Sequence, residues 1–126
     1  MIKVNIFDDI EGTEFPQGRR TRVIIGENGA IKNTDFAQGY VVIYPKGYVA
    51  LHDHENVESY TILEGTGEMT VDDETVPVKK GDVVFIESGQ KHMLKNTSDK
   101  ENMAMMFVYS PGNIVDHWEQ EMDGRL

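Results

Sequence analysis

Short runs of strand-forming residues, separated by glycine-containing turns, recur along most of this chain. The runs are rich in Val, Ile, Tyr and Phe, as in TRVIIG, GYVVIYP, ESYTIL and DVVFI. Runs of this kind, spaced about 8–12 residues apart, are typical of all-β sandwiches and barrels. The acidic pair in VDDETV fits the tight loop of a β-hairpin. The sequence therefore predicts an all-β fold.

The last segment, PGNIVDHWEQEMDGRL, has a different pattern. Ile114, Trp118 and Met122 recur at helical spacing, and Glu119 and Glu121 lie off that apolar stripe. The pattern predicts one short C-terminal helix that packs on the outside of the β-structure. No linker, repeat or low-complexity tract interrupts the chain, so we expect a single domain over residues 1–126.

Length, charge and composition limit the partners and the chemistry. The 126 residues suffice for one domain with a core, and 39% of them are hydrophobic. A net charge of −10 argues against nucleic-acid phosphates and anionic membranes as partners. The chain has no cysteine, which excludes disulfides and thiolate chemistry. Neither a signal peptide nor an apolar run of about 20 residues is visible, so we expect a cytoplasmic protein.

Two of the four histidines lie in one strand-like stretch, GYVALHDHENVESYTILEG. Side chains in a strand alternate between faces, so His52 and His54 share one face and can reach the same metal ion. Glu58 opens the next run and can add an oxygen ligand. A third histidine, His92, follows the turn ESGQ. Nitrogen and oxygen ligands without sulfur suit one divalent transition metal: Mn, Fe, Ni, Zn or Co.

These two stretches resemble the two signature motifs of the cupin family. The first motif matches at Gly47, His52, His54, Glu58 and Gly65, although the spacer after Gly47 is one residue shorter than in the family pattern. The motif's spacings after His54 and after Glu58 are kept. This half of the resemblance contains three of the four ligand positions that cupins use.

The second motif matches at Gly81, Gly89, His92 and Asn96, with Glu87 where the family has proline. That substitution affects a turn and removes no ligand. The two motifs together cover residues 47–96, with N-terminal strands expected over 1–46 and a C-terminal strand and helix over 97–126.

The resemblance implies a double-stranded β-helix, the jelly-roll barrel of cupins, with a metal inside. Carried over residue by residue, the metal ligands are His52, His54, Glu58 and His92. Small cupins include isomerases, lyases or decarboxylases, dioxygenases and epimerases. We expect a small polar substrate that bears a carbonyl or a carboxylate, with isomerase, lyase or decarboxylase chemistry ahead of a dioxygenase. A non-catalytic sensor or carrier of a small molecule is the other alternative.

Other residues are weaker candidates. Tyr60 shares the strand face of Glu58 and is a candidate catalytic residue or a core tyrosine. Among Arg19, Arg20 and Arg22, we expect Arg22 to lie closest to the barrel and to bind a substrate carboxylate, unless the cluster is a solvated strand edge or a dimer ion pair.

Two aromatic residues and the fourth histidine complete the candidates. Tyr40 and Tyr44 alternate on one strand face and can line a substrate pocket or a dimer contact. His117 on the expected helix is interpreted as structural or solvent-facing. Cupins commonly pair through N-terminal strands, and an open edge at residues 20–26 would need covering, so we expect a homodimer.

Overall fold

The computed structural model describes residues 1–113 and 117–126 and is built mainly of β-strands. Within these residues no helix is long and apolar enough to cross a membrane. The elements in chain order are β1 (Thr13–Phe15), β2 (Arg19–Gly26), β3 (Ile31–Lys32), β4 (Ala37–Ile43), β5 (Tyr48–His52), β6 (Val57–Glu64), β7 (Thr66–Val71), β8 (Glu74–Lys79), β9 (Val83–Ile86), β10 (His92–Asn96), β11 (Met103–Ser110) and α1 (His117–Met122).

The strands form two sheets. The seven-stranded sheet has the order β1-β2-β4-β11-β6-β9, with β3 paired to β2, and the four-stranded sheet has the order β5-β10-β7-β8. All pairs are antiparallel except β2 with β3. The fold is a double-stranded β-helix with one short C-terminal helix, as predicted. The expected hairpin loop lies between β7 and β8 at Asp72 and Asp73.

The core lies between the two sheets and follows from strand alternation. In β4 every second residue is buried, including Val41 and Ile43. The four-stranded sheet contributes Val49, Met69 and Leu94 to the same cluster. Burying such a side chain stabilises the fold by about 1.5–3 kcal/mol. Apolar side chains fill the middle of the barrel, and the histidines and the glutamate of the metal motifs lie together at one end.

Two motif residues have structural roles at the start of β5. A Cβ atom at Gly47 would overlap the carbonyl oxygen of Gly18, so the close approach of these two backbone segments requires glycine. The Asn96 side-chain nitrogen lies 3.0 Å from the carbonyl oxygen of Ile43 and 3.1 Å from that of Tyr44. These contacts orient the strand that carries His52.

The edge of β2 is covered by its own chain. β1 pairs with residues 19–21, β3 pairs with Ile25 and Gly26, and β4 covers the other side. The edge that motivated the homodimer is therefore covered at both ends, with residues 22–24 lacking a strand partner on that side, and the homodimer itself stays a prediction.

The C-terminal helix is confirmed, but its expected apolar stripe is wrong. Met122 is 48% exposed, whereas Glu121 is fully buried. Trp118 packs against the core, and Ile114 lies outside the described residues. The buried face is polar because Glu121 pairs with an arginine inside the barrel, which periodicity alone does not reveal.

Candidate metal centre

The four residues of the predicted metal site meet at one end of the barrel. His52 ends β5, His54 follows two residues later, Glu58 lies in β6 and His92 opens β10. Their ligand atoms all lie within 4.8 Å of one another. His52 and His92 are direct partners on neighbouring antiparallel strands. We call these four residues the ligand cluster; it joins the two sheets, because β6 belongs to one and β5 and β10 to the other.

Backbone carbonyls orient all three imidazoles in the same way. The Nδ1 atom of His52 lies 2.7 Å from the carbonyl oxygen of Ala50. The Nδ1 atom of His54 lies 3.0 Å from the Asn56 oxygen, and that of His92 lies 2.9 Å from the Gln90 oxygen. A carbonyl can only accept, so each Nδ1 carries the proton and donates it. This leaves Nε2 of each ring as the nitrogen whose lone pair can bind a metal.

Glu58 supplies the negative charge. Its Oε1 atom lies 3.0 Å from Nε2 of His54 and 3.1 Å from Nε2 of His92. The carboxylate is only 6% exposed and His92 is fully buried. A buried carboxylate needs a positive charge, which either an imidazolium or a cation can supply. The donor set of three imidazole nitrogens and one carboxylate oxygen therefore fits a divalent transition metal.

The local environment shifts the histidine pKa values in opposite directions. Burial, followed by the nearby His92, lowers the pKa of His52 to about 2, so this ring stays neutral. Burial also disfavours the charged form of His54, but the hydrogen bond to Glu58 and its charge outweigh burial and raise the pKa of His54 overall. The site thus combines an imidazole that burial holds in its neutral form with one whose charged form Glu58 stabilises.

A cavity of about 560 Å³ opens from the ligand cluster towards solvent. His52, His54 and His117 are among its lining residues. A smaller cavity of about 20 Å³ lies further inside the barrel. Glu58 and Tyr60 line the inner cavity, and His117 lines both. The ligand cluster is therefore reachable from one side and closed by the barrel interior on the other.

Two tyrosines lie beside the ligand cluster. The Tyr60 ring centre is 6.0 Å from that of His92, and Tyr109, which the motifs did not indicate, lies 6.1 Å from His54. Both line the inner cavity. Burial raises the pKa of Tyr60 and of Tyr109 well above the ordinary phenol value. Both hydroxyls therefore stay protonated near neutral pH and are able to donate hydrogen bonds.

Sequence reasoning missed a second buried polar group, formed by Arg19, His117 and Glu121, which we call the helix cluster. Arg19 is 1% exposed and Glu121 fully buried, with both pairs of facing atoms 2.6 Å apart. His117 stacks on His52 with ring centres 3.6 Å apart. Burial and the neighbouring His52 lower the pKa of His117, so its ring is neutral. His117 is thus buried against a predicted ligand, consistent with a structural role and not with a solvent-facing one.

The expectation that Arg22 lies closest to the barrel is wrong, because strand alternation turns Arg19 and Thr21 inward and the other arginines outward. The Arg22 Nε atom donates to the carbonyl of Ile10.

The two candidate tyrosines near the N-terminus also lie apart from the ligand cluster. Tyr40 packs edge-on against Phe7. The Tyr44 hydroxyl donates to Glu14 at 2.5 Å. Substrate binding by Arg22, Tyr40 or Tyr44 is an untested prediction, and none of the three lines either cavity next to the ligand cluster.

This combination of barrel and ligand cluster defines a class of protein. The family model of the cupin domain matches residues 39–109, so the chain belongs to the cupin family. The fold agrees: an RmlC-like cupin from Shewanella frigidimarina superposes with a TM-score of 0.74 over 88% of this chain and 92% of that chain, at 13% identity.

Two curated relatives match with higher identity over shorter stretches. An oxalate-binding protein from Thermotoga maritima is 40% identical over 67 residues, which cover 51% of this chain and 55% of the relative. A 5-nitrosalicylic acid 1,2-dioxygenase from Bradyrhizobium is 34% identical over 65 residues, 52% of this chain and 31% of the relative. The match therefore spans about half of the first relative's length and about a third of the second's.

Proposed function

We propose that this chain is a metal-dependent cupin enzyme that binds a small metabolite bearing a carboxylate or a carbonyl. The proposed chemistry is of the isomerase, lyase or decarboxylase type. The observation that carries the proposal is the convergence of His52, His54, Glu58 and His92 within 4.8 Å. A divalent metal held there would act as a Lewis acid on a carbonyl or carboxylate oxygen.

The chain's own residues support proton-transfer chemistry beside such a metal. Three Nδ1–H groups bonded to carbonyls hold the imidazoles in place. The protonated hydroxyls of Tyr60 and Tyr109 lie beside the inner cavity with Glu58, where they can donate to a developing oxyanion. Tyr60 is accordingly our candidate catalytic residue.

Two alternatives each have a specific observation in their favour. The match to an oxalate-binding protein supports a carrier or sensor that binds a small carboxylate without turnover. The match to a protein named 5-nitrosalicylic acid 1,2-dioxygenase supports dioxygen chemistry at the same ligands. Turnover separates the carrier from the enzymes, and dioxygen consumption separates the two enzyme classes.

The experiment that tests the proposal begins with metal analysis of protein purified without chelator. The metal-loaded protein is then offered keto acids, dicarboxylates, diketones and uronic sugars, with product and dioxygen uptake both followed. Product formation without dioxygen uptake is the expected result. Less than about 0.1 metal per chain, not restored by adding Mn, Fe, Ni, Zn or Co, would contradict the proposal, because a resident metal occupies close to one site per chain.

We also propose a cytoplasmic homodimer that binds no nucleic acid. The net charge of −10 argues against nucleic-acid phosphates as partners, and the absence of cysteine fits a reducing cytoplasm. The homodimer is proposed from the resemblance to cupins, which commonly pair through N-terminal strands. Light scattering in solution, showing a mass of twice the 14.3 kDa chain, tests the dimer.

A further inference from the structure

The Arg19 guanidinium is a buried carboxylate-binding group next to the proposed metal. It meets both oxygens of Glu121 at 2.6 Å, and the backbone N–H of Ala50 donates to the same carboxylate at 3.0 Å. A bidentate guanidinium combined with a backbone amide is the arrangement that proteins use to bind free carboxylates. Ala50 also accepts the Nδ1 proton of His52, so this site and the ligand cluster share a strand and a residue.

The carboxylate in this site comes from the C-terminal helix. Besides Glu121, the helix is held by Trp118, whose ring lies 6.5 Å from Phe15 and 6.0 Å from Phe107. The Gln17 side chain donates to the carbonyl oxygen of Glu121 at 3.0 Å. The backbone amide of Ala50 and the stacking of His117 on His52 are further contacts of this six-residue helix. None of these contacts belongs to a strand pairing, so the helix can separate from the barrel without breaking the sheets.

The space around Arg19 is shared with the ligand cluster. Arg19, Thr21 and Glu58 line the same inner cavity. Thr21 is 4% exposed, and its buried hydroxyl has no hydrogen-bond partner among the described residues, so the cavity contains an unused polar group. His117 lies between this cavity and the outer one, because it lines both. Withdrawal of α1 would therefore join the two cavities and leave the guanidinium facing the same space as a metal ligand.

We propose that Arg19 and the Ala50 amide form the carboxylate-binding site for the substrate, and that Glu121 occupies this site as an internal substitute for the ligand. A small carboxylate binds by replacing Glu121 on Arg19 while its other oxygens reach the metal. This inference depends on the proposed function for the class of ligand, but it concerns residues outside the ligand cluster.

The first test uses the metal-free protein and needs no activity. Glu121→Ala should leave an empty carboxylate site, so added acetate should raise the melting temperature of this variant, and acetamide at the same concentration should not. Wild-type protein and the control Glu119→Ala, whose side chain is exposed on the same helix, should show no acetate effect. Equal responses of all three proteins to acetate would overturn the inference.

A second variant measures the same competition in the metal-loaded protein, and the third test below uses wild type and does not depend on any variant folding. Glu121→Gln keeps the side-chain volume but loses the charge that competes with a ligand. Calorimetric titration of the metal-loaded variant with malonate should give a dissociation constant about tenfold lower than that of wild type, because a competing internal state reduces apparent affinity by the fraction it occupies. Unchanged affinity in Glu121→Gln would contradict the inference.

The third test separates this inference from the proposed function. Trp118, the one tryptophan of the chain, lies on the helix that would move and reports its displacement. Cobalt-loaded wild type is titrated with oxalate or malonate while tryptophan emission and the visible cobalt spectrum are recorded, and cobalt content is measured afterwards to exclude chelation. Changes in both signals support the inference. A cobalt change with constant emission overturns it and leaves the proposed function intact, whereas no change with any carboxylate contradicts both.

Discussion

The ligand cluster and the helix cluster are both buried at the same end of the barrel, and both join the two sheets, yet their charges are balanced differently. In the helix cluster Arg19 and Glu121 neutralise each other at 2.6 Å within the chain. In the ligand cluster one carboxylate faces two imidazole nitrogens at 3.0 and 3.1 Å, and no arginine or lysine pairs with it among the described contacts. The first is a complete ion pair, whereas the second pairs a carboxylate with imidazoles, which carry no permanent charge.

The difference indicates what each cluster contributes. A complete ion pair stabilises a particular arrangement of the chain, because separating its charges leaves each one buried alone. A set of converging lone pairs gains its stabilisation only when a metal binds. The comparison therefore predicts that the helix cluster affects folding most strongly and the ligand cluster affects metal binding.

The largest expected effect is on folding, from breaking the pair in the helix cluster. Glu121→Gln should reduce the free energy of unfolding by about 3–5 kcal/mol, because Arg19 would be buried without its counter-ion. Urea denaturation of the metal-free protein measures the change. Glu14→Gln is the matched control, since its pair with Arg20 is exposed and should matter little. Similar losses in the two variants would show that burial does not distinguish these pairs.

The next effect is on metal affinity, from removing a ligand. His92→Ala should weaken metal binding by more than about 100-fold, since loss of a supporting partner alone commonly weakens binding 10–100-fold. Competition with a chromophoric chelator measures the affinity. His117→Ala should keep one metal per chain, because its ring stacks on His52 and is not part of the ligand cluster. Loss of the metal in His117→Ala would show that His117 also takes part in metal binding.

A smaller effect concerns the unfolding free energy that metal binding adds. At a free metal concentration ten times the dissociation constant, binding should add about 1.4 kcal/mol to the unfolding free energy of wild type. Glu121→Gln should keep this increment from its lower starting stability, and His92→Ala should lose it. Denaturation with and without metal gives both values. An increment that vanishes in Glu121→Gln would show that the two clusters are not independent.

The same two clusters show how far the sequence predicts this site. The ligand cluster was identifiable because its residues fall at motif spacings and because strand alternation places His52 and His54 on one face. The arrangement of Glu58 and His92 beside them follows from the fold that the motifs imply. Asn96 was identifiable only as a motif position, and the structure adds its role, since its side chain donates to the carbonyl oxygens of Ile43 and Tyr44.

The helix cluster was not identifiable, because its partners are far apart in sequence and belong to no motif. Arg19 and Glu121 are separated by 102 residues. Charged residues are usually exposed, so an apolar stripe through Met122 was the natural expectation for the helix. Strand alternation does separate Arg19 from Arg20 and Arg22, but the sequence alone does not say which face is the inner one.

The smallest predicted effect concerns a third polar group, formed by Glu14, Arg20 and Tyr44 at the barrel's outer surface. The hydrogen bond from Tyr44, with the Arg20 contact, lowers the pKa of Glu14 although burial opposes this. Tyr44→Phe should therefore raise the Glu14 pKa towards its ordinary value, as an NMR titration of the carboxyl carbon would show. Tyr44 lines neither cavity at the ligand cluster. The affinity of the metal-loaded Tyr44→Phe variant for malonate should therefore stay within about twofold of wild type, the scatter expected for a distant site. A larger loss of affinity would restore Tyr44 as a substrate-binding residue and extend the site beyond the two clusters.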